Sequence, residues 1–344
     1  MNNLLSVSIV IPTLNSARTL KTCLDSISKQ NYPFDLVEII FADGGSRDST
    51  LEIIEEFKGE NKNFIVKIVA NRLKTGEAGK AAALKASANE IIAFVDSDNI
   101  LDGKDWLKRM TEPFFDADII AAEPIRYTYR KIDGYITRYC ALMGMNDPLC
   151  YFFGNYDREC LLSGHWTEMP YQVVADKESY LKLQLNAKRL PTIGANGFLI
   201  RSWGFKQLSV EDYLFDIDIL AELLLKNPSL CVAKVRVGIV HVFSSSWRVF
   251  YLKQKRRIAD YKFFMQNKMR SYSWSKLNRI GLIYFCLSCL ALAPLLFQSI
   301  KGYSRRRDVC WFAHPLLCLV TFYVYLAGCL FSGNKIQKRD KWQI

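Results

Sequence analysis

The chain has 344 residues, half of them hydrophobic and 23% charged, which excludes wholesale disorder and leaves room for a sizeable core. Its formal net charge of +12 is unevenly placed: residues 1–240 carry 28 Lys and Arg against 31 Asp and Glu, and residues 241–344 carry 18 against 3. A basic zone confined to the last third argues against nucleic-acid binding and for a local anionic partner.

Strand and helix patterns alternate through the first hundred residues. Val7–Pro12 is a β-branched apolar run. Ala17–Lys29 places Leu20, Leu24 and Ile27 on one helical stripe. Leu36–Ala42 reads as a second strand, ending in Asp43-Gly44-Gly45-Ser46. Ser49–Lys58 reads as a helix, Phe64–Ala70 as a strand and Glu77–Ala88 as a helix. Ile91–Val95 is a fourth strand that stops at Asp96-Ser97-Asp98-Asn99. This alternation predicts an α/β fold with a parallel, doubly wound sheet, whose ligands sit at the carboxyl ends of the strands. Those ends carry Thr13 and Asn15, Asp43, and Asp96 with Asp98, so three polar clusters predict one site.

Residues 101–245 are less regular. Gly144–Arg158 is polar and aromatic, a candidate for acceptor recognition. Leu190–Arg201 contains Gly194-Ala-Asn-Gly197, a turn whose backbone N–H groups suit phosphate oxygens. Glu211–Lys226 opens as an acidic helix start, and Val232–His241 reads as a last strand. Trp247–Met265 is a basic amphipathic helix, with Trp247, Phe250, Tyr251, Ile258, Tyr261 and Met265 on one stripe, a pattern that suits a membrane surface.

Gly281–Ile300 and Val309–Ser332 are uncharged stretches of 20 and 24 residues, each meeting the roughly 20 residues a bilayer helix needs. They predict a C-terminal two-helix transmembrane hairpin. Five Lys and Arg lie between Lys262 and Arg279 and four after Ser332, against four in Lys301–Asp308, which predicts an integral membrane protein with its catalytic domain on the cytosolic side. Met1–Val10 lacks a basic leader, which predicts no secretory signal. Half of the ten cysteines fall in the apolar stretches and the rest are scattered singly, as in a reduced cytosolic domain. Cys286 and Cys289 read as small apolar residues rather than metal ligands.

Asp96 and Asp98, two apart beyond a buried strand, are placed to face one hard divalent cation bridging to a diphosphate. In Asp43-Gly44-Gly45-Ser46-Arg47-Asp48 the glycines admit a ligand close to the backbone, and the aspartate accepts from a base or ribose. The same turn caps the following helix.

Val7–Asn15, Asp43–Thr50, Gly79–Ala83 and Phe94–Asp98 resemble the successive motifs of family 2 glycosyltransferases with the GT-A fold, over about residues 5–245. The resemblance implies a Rossmann-like nucleotide-diphospho-sugar transferase domain, a nucleotide-sugar donor, Mg²⁺ or Mn²⁺, and inversion at the anomeric carbon. It implies that Pro12, Thr13, Asn15, Asp43 and Gly44 hold the nucleoside, that Lys80 approaches base or phosphates, that Asp96 contacts ribose or metal, and that Asp98 and His241 ligate the metal. Inversion onto a hydroxyl also needs a base. In Phe215-Asp216-Ile217-Asp218, Asp216 fits the family's base position, with Phe215 where a glutamate often stands and Asp218 beside it. Glu211-Asp212 is the rival pair, and a phosphate acceptor would need no base. Gly194–Arg201 resembles the acceptor-side loop of membrane-associated members, which puts Asn196, Gly197 and Arg201 at the acceptor. Gln254–Ile258 is similar to the Q-x-x-R-W motif of processive synthases, with Ile258 in place of tryptophan, and makes Arg257 a diphosphate or acceptor contact.

The predicted organisation is a nucleotide-sugar half (1–100), an acceptor half (101–245), a basic interfacial segment (246–280), two membrane helices (281–332) and a basic cytosolic tail (333–344). The expected function is sugar transfer to a lipid-linked acceptor, either a polyprenyl phosphate or a lipid-linked glycan. A polysaccharide or protein acceptor is the alternative. A sugar-phosphate nucleotidyltransferase would carry a Gly-x-Gly-x-Arg loop where Pro12-Thr13-Leu14-Asn15 stands. A non-catalytic scaffold would have no need of Asp43, Asp96 and Asp98.

Overall fold

The computed structural model describes residues 4–206, 208, 210–272 and 278–331, so the predicted tail 333–344 lies outside the described residues. In chain order the elements are β1 (Val7–Thr13), α1 (Ala17–Ser28), β2 (Val37–Asp43), α2 (Thr50–Glu60), β3 (Ile65–Ala70), α3 (Gly76–Ala86), β4 (Ile91–Phe94), β5 (Asn99–Leu101), α4 (Trp106–Thr111) and β6 (Ile119–Tyr127). Then come α5 (Tyr135–Met143), α6 (Leu149–Phe153), β7 (Tyr171–Asp176), β8 (Tyr180–Leu185), β9 (Phe198–Arg201), α7 (Trp203–Lys206), α8 (Asp216–Lys226) and β10 (Cys231–His241). The chain ends in α9 (Trp247–Gln266), α10 (Arg279–Ala291), α11 (Ala293–Arg305) and α12 (His314–Phe331). Two compact units result, one from residues up to 128 and 170–241, the other from 129–169 and residues from 242 onward.

In the first unit one sheet runs in the order β3-β2-β1-β4-β9-β6-β10-β8-β7, with β5 on β10. β1, β2, β3 and β4 are parallel, as the alternating pattern predicts. β2 and β4 are buried along their whole length, which is why they read as unbroken apolar runs. The sheet as a whole is mixed rather than parallel, because β9 lies antiparallel between β4 and β6, and β7 and β8 pair antiparallel beyond β10. The cause is local. Gly194, Ala195, Asn196 and Gly197 all have positive φ, and this turn reverses the chain so that β9 starts beside the end of β4.

Beneath that turn the Glu123 and Lys234 side chains form a fully buried ion pair at 2.6 Å, and the second Glu123 oxygen accepts from Gly194 N at 3.0 Å. The pair thus ties β6 and β10 to the turn.

The second unit gathers α5, α9 and α12 around Tyr139, Tyr156, Phe250 and Trp311, and α6, α10, α11 and α12 around Phe152, Phe285 and Leu295. Gly302 lies against the Trp311 indole, where any Cβ would overlap the ring. The predicted pair of membrane helices is met only in part, because the first of the two could span only as a broken segment. The Gly281–Ile300 stretch is not one helix: α10 and α11 meet at Leu292 with a 93° bend, Leu292 taking φ +59° and Pro294 opening α11. The second stretch begins as a short 3₁₀ turn, Val309–Ala313, followed by α12. Among the described residues one segment, Val309–Leu330, is long and apolar enough to cross a membrane, and 44% of its most apolar stretch is buried within the protein.

Leaving one member of a buried ion pair unpaired costs about 3–5 kcal/mol, whereas replacing both by apolar groups is far milder. Lys234→Met is therefore expected to lower stability by about that amount, and Glu123→Leu with Lys234→Met to recover most of it. Urea unfolding of the three proteins measures this.

Candidate active site

The carboxyl ends of β1 and β2 are stitched together by Asp43. Its Oδ2 accepts from Gly45 N (2.8 Å) and Ser46 N (2.9 Å), and its Oδ1 from Ser46 Oγ (2.6 Å) and Thr13 Oγ1 (3.2 Å). Asn15, at φ +52°, closes the same loop: its side-chain oxygen accepts from Arg47 N (2.8 Å), and its own N–H donates to Ser46 Oγ (2.9 Å). Gly44 donates to Thr13 O at 2.8 Å, and a Cβ there would press on Leu14. Pro12, Thr13, Asn15, Asp43 and Gly44 thus form one rigid loop pair, with Asp43 nearly buried at its centre.

At the end of β4 the chain turns through Asp96 and Asp98. Asn99 Oδ1 accepts from Asp96 N (2.9 Å), and Asn99 Nδ2 donates to Asn196 Oδ1 (2.9 Å), joining this turn to the Gly194–Gly197 turn. Gly197 N donates to Phe94 O at 2.8 Å, and a Cβ on Gly197 would strike Ile239 and Trp106. His241 ends β10 with its Nε2 3.4 Å from Asp98 Oδ1. That separation suits two neighbouring ligands of one divalent ion, and carboxylate oxygen with imidazole nitrogen is a donor set Mn²⁺ accepts. Among the described residues no three His, Cys, Asp or Glu side chains form a ready-made cluster, so further ligands would come from Asp96 or from the donor.

Lys80 reaches the same place from α3. Gly79 makes this possible, because a Cβ there would sit 2.9 Å from Pro12 Cβ. The buried Lys80 ammonium pairs with Asp216 Oδ2 and lies 5.2 Å from the centre of the Phe94 ring. Burial pulls its proton affinity down, but the Asp216 and Asp96 carboxylates outweigh that and hold it above the usual lysine range. Asp96 is shifted upward, first by burial and then by the Asp98 charge, against the opposing pull of Lys80. Asp216 is the first residue of α8, where the helix dipole favours a carboxylate. Its Oδ1 is buried without a hydrogen-bond partner among the described residues. Gly194 packs on the Asp216 side chain so closely that any Cβ would overlap it.

Asp96, Asp98, Lys80, Asp216, Asn196, Gly197 and His241 are therefore brought together. Asp218 lies buried two positions further along α8, and the rivals Glu211 and Asp212 are exposed before it. Arg201 is a correction. It pairs with Ile91 at the opposite end of β4, and its guanidinium donates to the carbonyls of Ile119 (2.8 Å), Asp116 (3.1 Å) and Phe114. It is a structural clamp, not an acceptor contact. Arg257 belongs to the second unit, bonded to Asn146 O (3.0 Å) and Gln254 Oε1 (3.1 Å) and 3.7 Å from Asp147. Sequence reading assigned no role to Asn99, Glu123 or Tyr127. The Asp96–Asn99 turn pointed to Asn99, whereas nothing in the local pattern marked Glu123, or Tyr127, which accepts from Asn196 Nδ2 at 3.3 Å.

Carboxylates, an ammonium and an imidazole are thus gathered at the strand ends of an α/β sheet. Residues 8–160 match the family model Glycosyl transferase family 2. The chain is 35% identical over 106 residues to the poly(ribitol-phosphate) beta-glucosyltransferase of Bacillus spizizenii, covering 30% of this chain and 16% of that one. It is 30% identical over 103 residues to Glycosyltransferase AglE of Haloferax volcanii, covering 30% of this chain and 33% of that one. The chain thus spans a third or less of these relatives' length. In fold it is similar to the mannosyltransferase PcManGT of Pyrobaculum calidifontis, solved with GDP-Man and Mn²⁺, at a TM-score of 0.55 and 12% identity over 96% of this chain and 89% of that one. The GT-A expectation is met at the level of the fold.

Two substitutions separate site from scaffold. Arg201→Ala is expected to lower the unfolding free energy by about 1–3 kcal/mol, through the carbonyls it leaves unpaired, and to leave ligand binding unchanged. Gly194→Ala forces a Cβ into Asp216 and is expected to disturb the Lys80–Asp216 pair, abolishing turnover at temperatures where the protein remains folded. Thermal melts and activity assays on both variants test this division.

Proposed function

We propose that the chain transfers a sugar, with inversion, from a nucleotide-sugar donor to a hydroxyl of a lipid-linked glycan at the cytosolic face of a membrane. The observation that carries this reading is Asp216, with one oxygen on Lys80 and the other buried without a hydrogen-bond partner among the described residues, close enough to Asp96 to act on its charge.

The loop pair built on Asp43 offers a rigid seat for the nucleoside. Asp98 and His241, with Asp96, would hold Mg²⁺ or Mn²⁺, which supplies positive charge to a leaving diphosphate. Lys80 adds a second positive charge on the donor side. Asp216 Oδ1 accepts the proton of the acceptor hydroxyl as that oxygen bonds the anomeric carbon. The bond to the diphosphate breaks, and its electron pair leaves with the diphosphate. The ion pair with Lys80 holds the Asp216 carboxylate in place for this task. Asn196 and Gly197 stand at the acceptor side, with Asp218 supporting the start of α8.

A hydroxyl acceptor fits this better than a polyprenyl phosphate. Asp216 and Asp218 would repel an anionic nucleophile, and a phosphate oxygen needs no base. Transfer to a hydroxyl of a free polysaccharide uses the same chemistry, and the poly(ribitol-phosphate) relative supports that second reading. The lipid-linked reading draws its support from the basic, apolar C-terminal third.

Mn²⁺-dependent thermal stabilisation by UDP, GDP and their sugar conjugates tests the donor site. One nucleotide is expected to raise the melting temperature only with metal, and Asp98→Asn to abolish the shift. Absence of any nucleotide effect would overturn the donor assignment. With the donor known, Asp216→Asn is expected to retain the nucleotide shift and lose about 10²–10⁴ in kcat. Near-normal turnover by Asp216→Asn would point instead to a phosphate acceptor.

A further inference from the structure

The apolar surface of the second unit is unlike that of a water-soluble helix cluster. Along α10 and α11, Ile280, Leu290, Phe297 and Ile300 are 62–80% exposed, and Ile283 and Leu287 nearly as much. Soluble monomers keep contiguous exposed apolar patches to roughly 300–600 Å². The buried sides of the same helices, Phe285, Cys289 and Leu295, already form a packed cluster with Cys318, so the exposed sides are surplus to the fold.

Length argues against a crossing. Each arm has 13 residues, about 20 Å of helix against a hydrocarbon core of about 30 Å, and the two arms meet at 93°. α12 is long enough, but α9 lies along it. Gln254 accepts a hydrogen bond from Tyr325, Ile258 packs on Gly328, and Lys262 donates to Gly328 O. The next residues on α9, Lys255 and Arg256, are exposed. A membrane-crossing α12 would carry these charges into hydrocarbon.

Charge indicates what covers the surface. Arg279 starts α10, and Lys301, Arg305, Arg306 and Arg307 lie at and beyond the end of α11, while the elbow between them carries no charge. Asp308, which follows them in the chain, is buried. Cations at both outer ends of an apolar elbow match a leaflet in which the elbow reaches the acyl chains and the cations meet anionic head groups. At the elbow a cleft of about 440 Å³, lined by Tyr151, Tyr284, Pro294 and Phe297 with Lys301 among its walls, has the aromatic lining and cation that one lipid would occupy.

We infer that α10 and α11 form an elbow that docks the protein on an anionic phospholipid leaflet, entering that leaflet without crossing the bilayer. The inference adds a mode of attachment to the proposed lipid-linked acceptor, and it is tested without donor or acceptor, so the two readings fail separately. Full-length protein is floated with vesicles of zwitterionic lipid, alone or with about a third anionic lipid. Binding is expected with the anionic vesicles and is expected to weaken with salt. Phe297→Asp and Leu290→Asp are each expected to weaken binding about tenfold with unchanged melting temperature, since both side chains already face outward. No flotation, or flotation unaffected by either substitution, would overturn the docking surface. Sidedness is read in inverted membrane vesicles with an impermeant maleimide and peptide mass spectrometry on Ser304→Cys and Glu60→Cys proteins. Equal labelling at both positions is expected. Label at position 60 with protection at position 304 until detergent is added would mean that the segment crosses.

Discussion

Everything at the strand ends depends on keeping two opposite charges, Lys80 and Asp216, together and largely out of water. Removing an ammonium and a carboxylate from solvent costs several kcal/mol each unless they meet in good geometry. The meeting requires two backbones to come unusually close. Gly79 lets α3 rest on Pro12, and Gly194 lets the turn before β9 rest on Asp216. The pair therefore fixes where the donor-side helix, the acceptor-side turn and the start of α8 stand relative to one another. A lysine so placed does two jobs: it lowers the cost of the nearby Asp96 charge and holds the Asp216 side chain in position.

The turn from Gly194 to Gly197 is the second constraint. Ala195 and Asn196 hold left-handed backbone angles, which non-glycine residues adopt at a cost of about 1–3 kcal/mol each. Such a turn persists only if its surroundings over-determine it. Here Glu123 receives Gly194 N, Asn99 donates to the Asn196 side chain, and Gly197 N reaches Phe94 O. Glu123 is itself held by Lys234 in a dry interior. A buried ion pair is a poor device for stability alone, but one that also receives a backbone donor specifies a loop conformation that an apolar pair would not.

What the sequence made legible follows from what local patterns encode. The strands β1, β2 and β4 and the helices between them were readable because burial on both sides of a sheet leaves an unbroken apolar run, and a helix leaves its stripe. That Asp43, Asp96 and Asp98 stand at the carboxyl ends of parallel strands followed from the alternating pattern alone. The direction of β9 did not, since it depends on four successive backbone angles rather than on hydropathy. Lys80 and Asp216 are 136 residues apart, and no spacing rule connects them. Arg201 misled for a simple geometric reason. Gly197 and Arg201 are near neighbours in one motif, but a strand advances about 3.4 Å per residue, and β9 carries Arg201 roughly 10 Å down the sheet from the turn.

The C-terminal third shows the same limit in another form. Counting uncharged residues measures the solvent a segment prefers, not the shape it takes. Gly281–Ile300 satisfies the count, but a left-handed Leu292 followed closely by Pro294 breaks it into two short arms. Val309–Ser332 satisfies it as well, but α9 lies against its helical part through Gln254, Ile258 and Lys262. Along α10 and α11 the apolar side chains remain outward, so a preference for hydrocarbon survives the break in the helix.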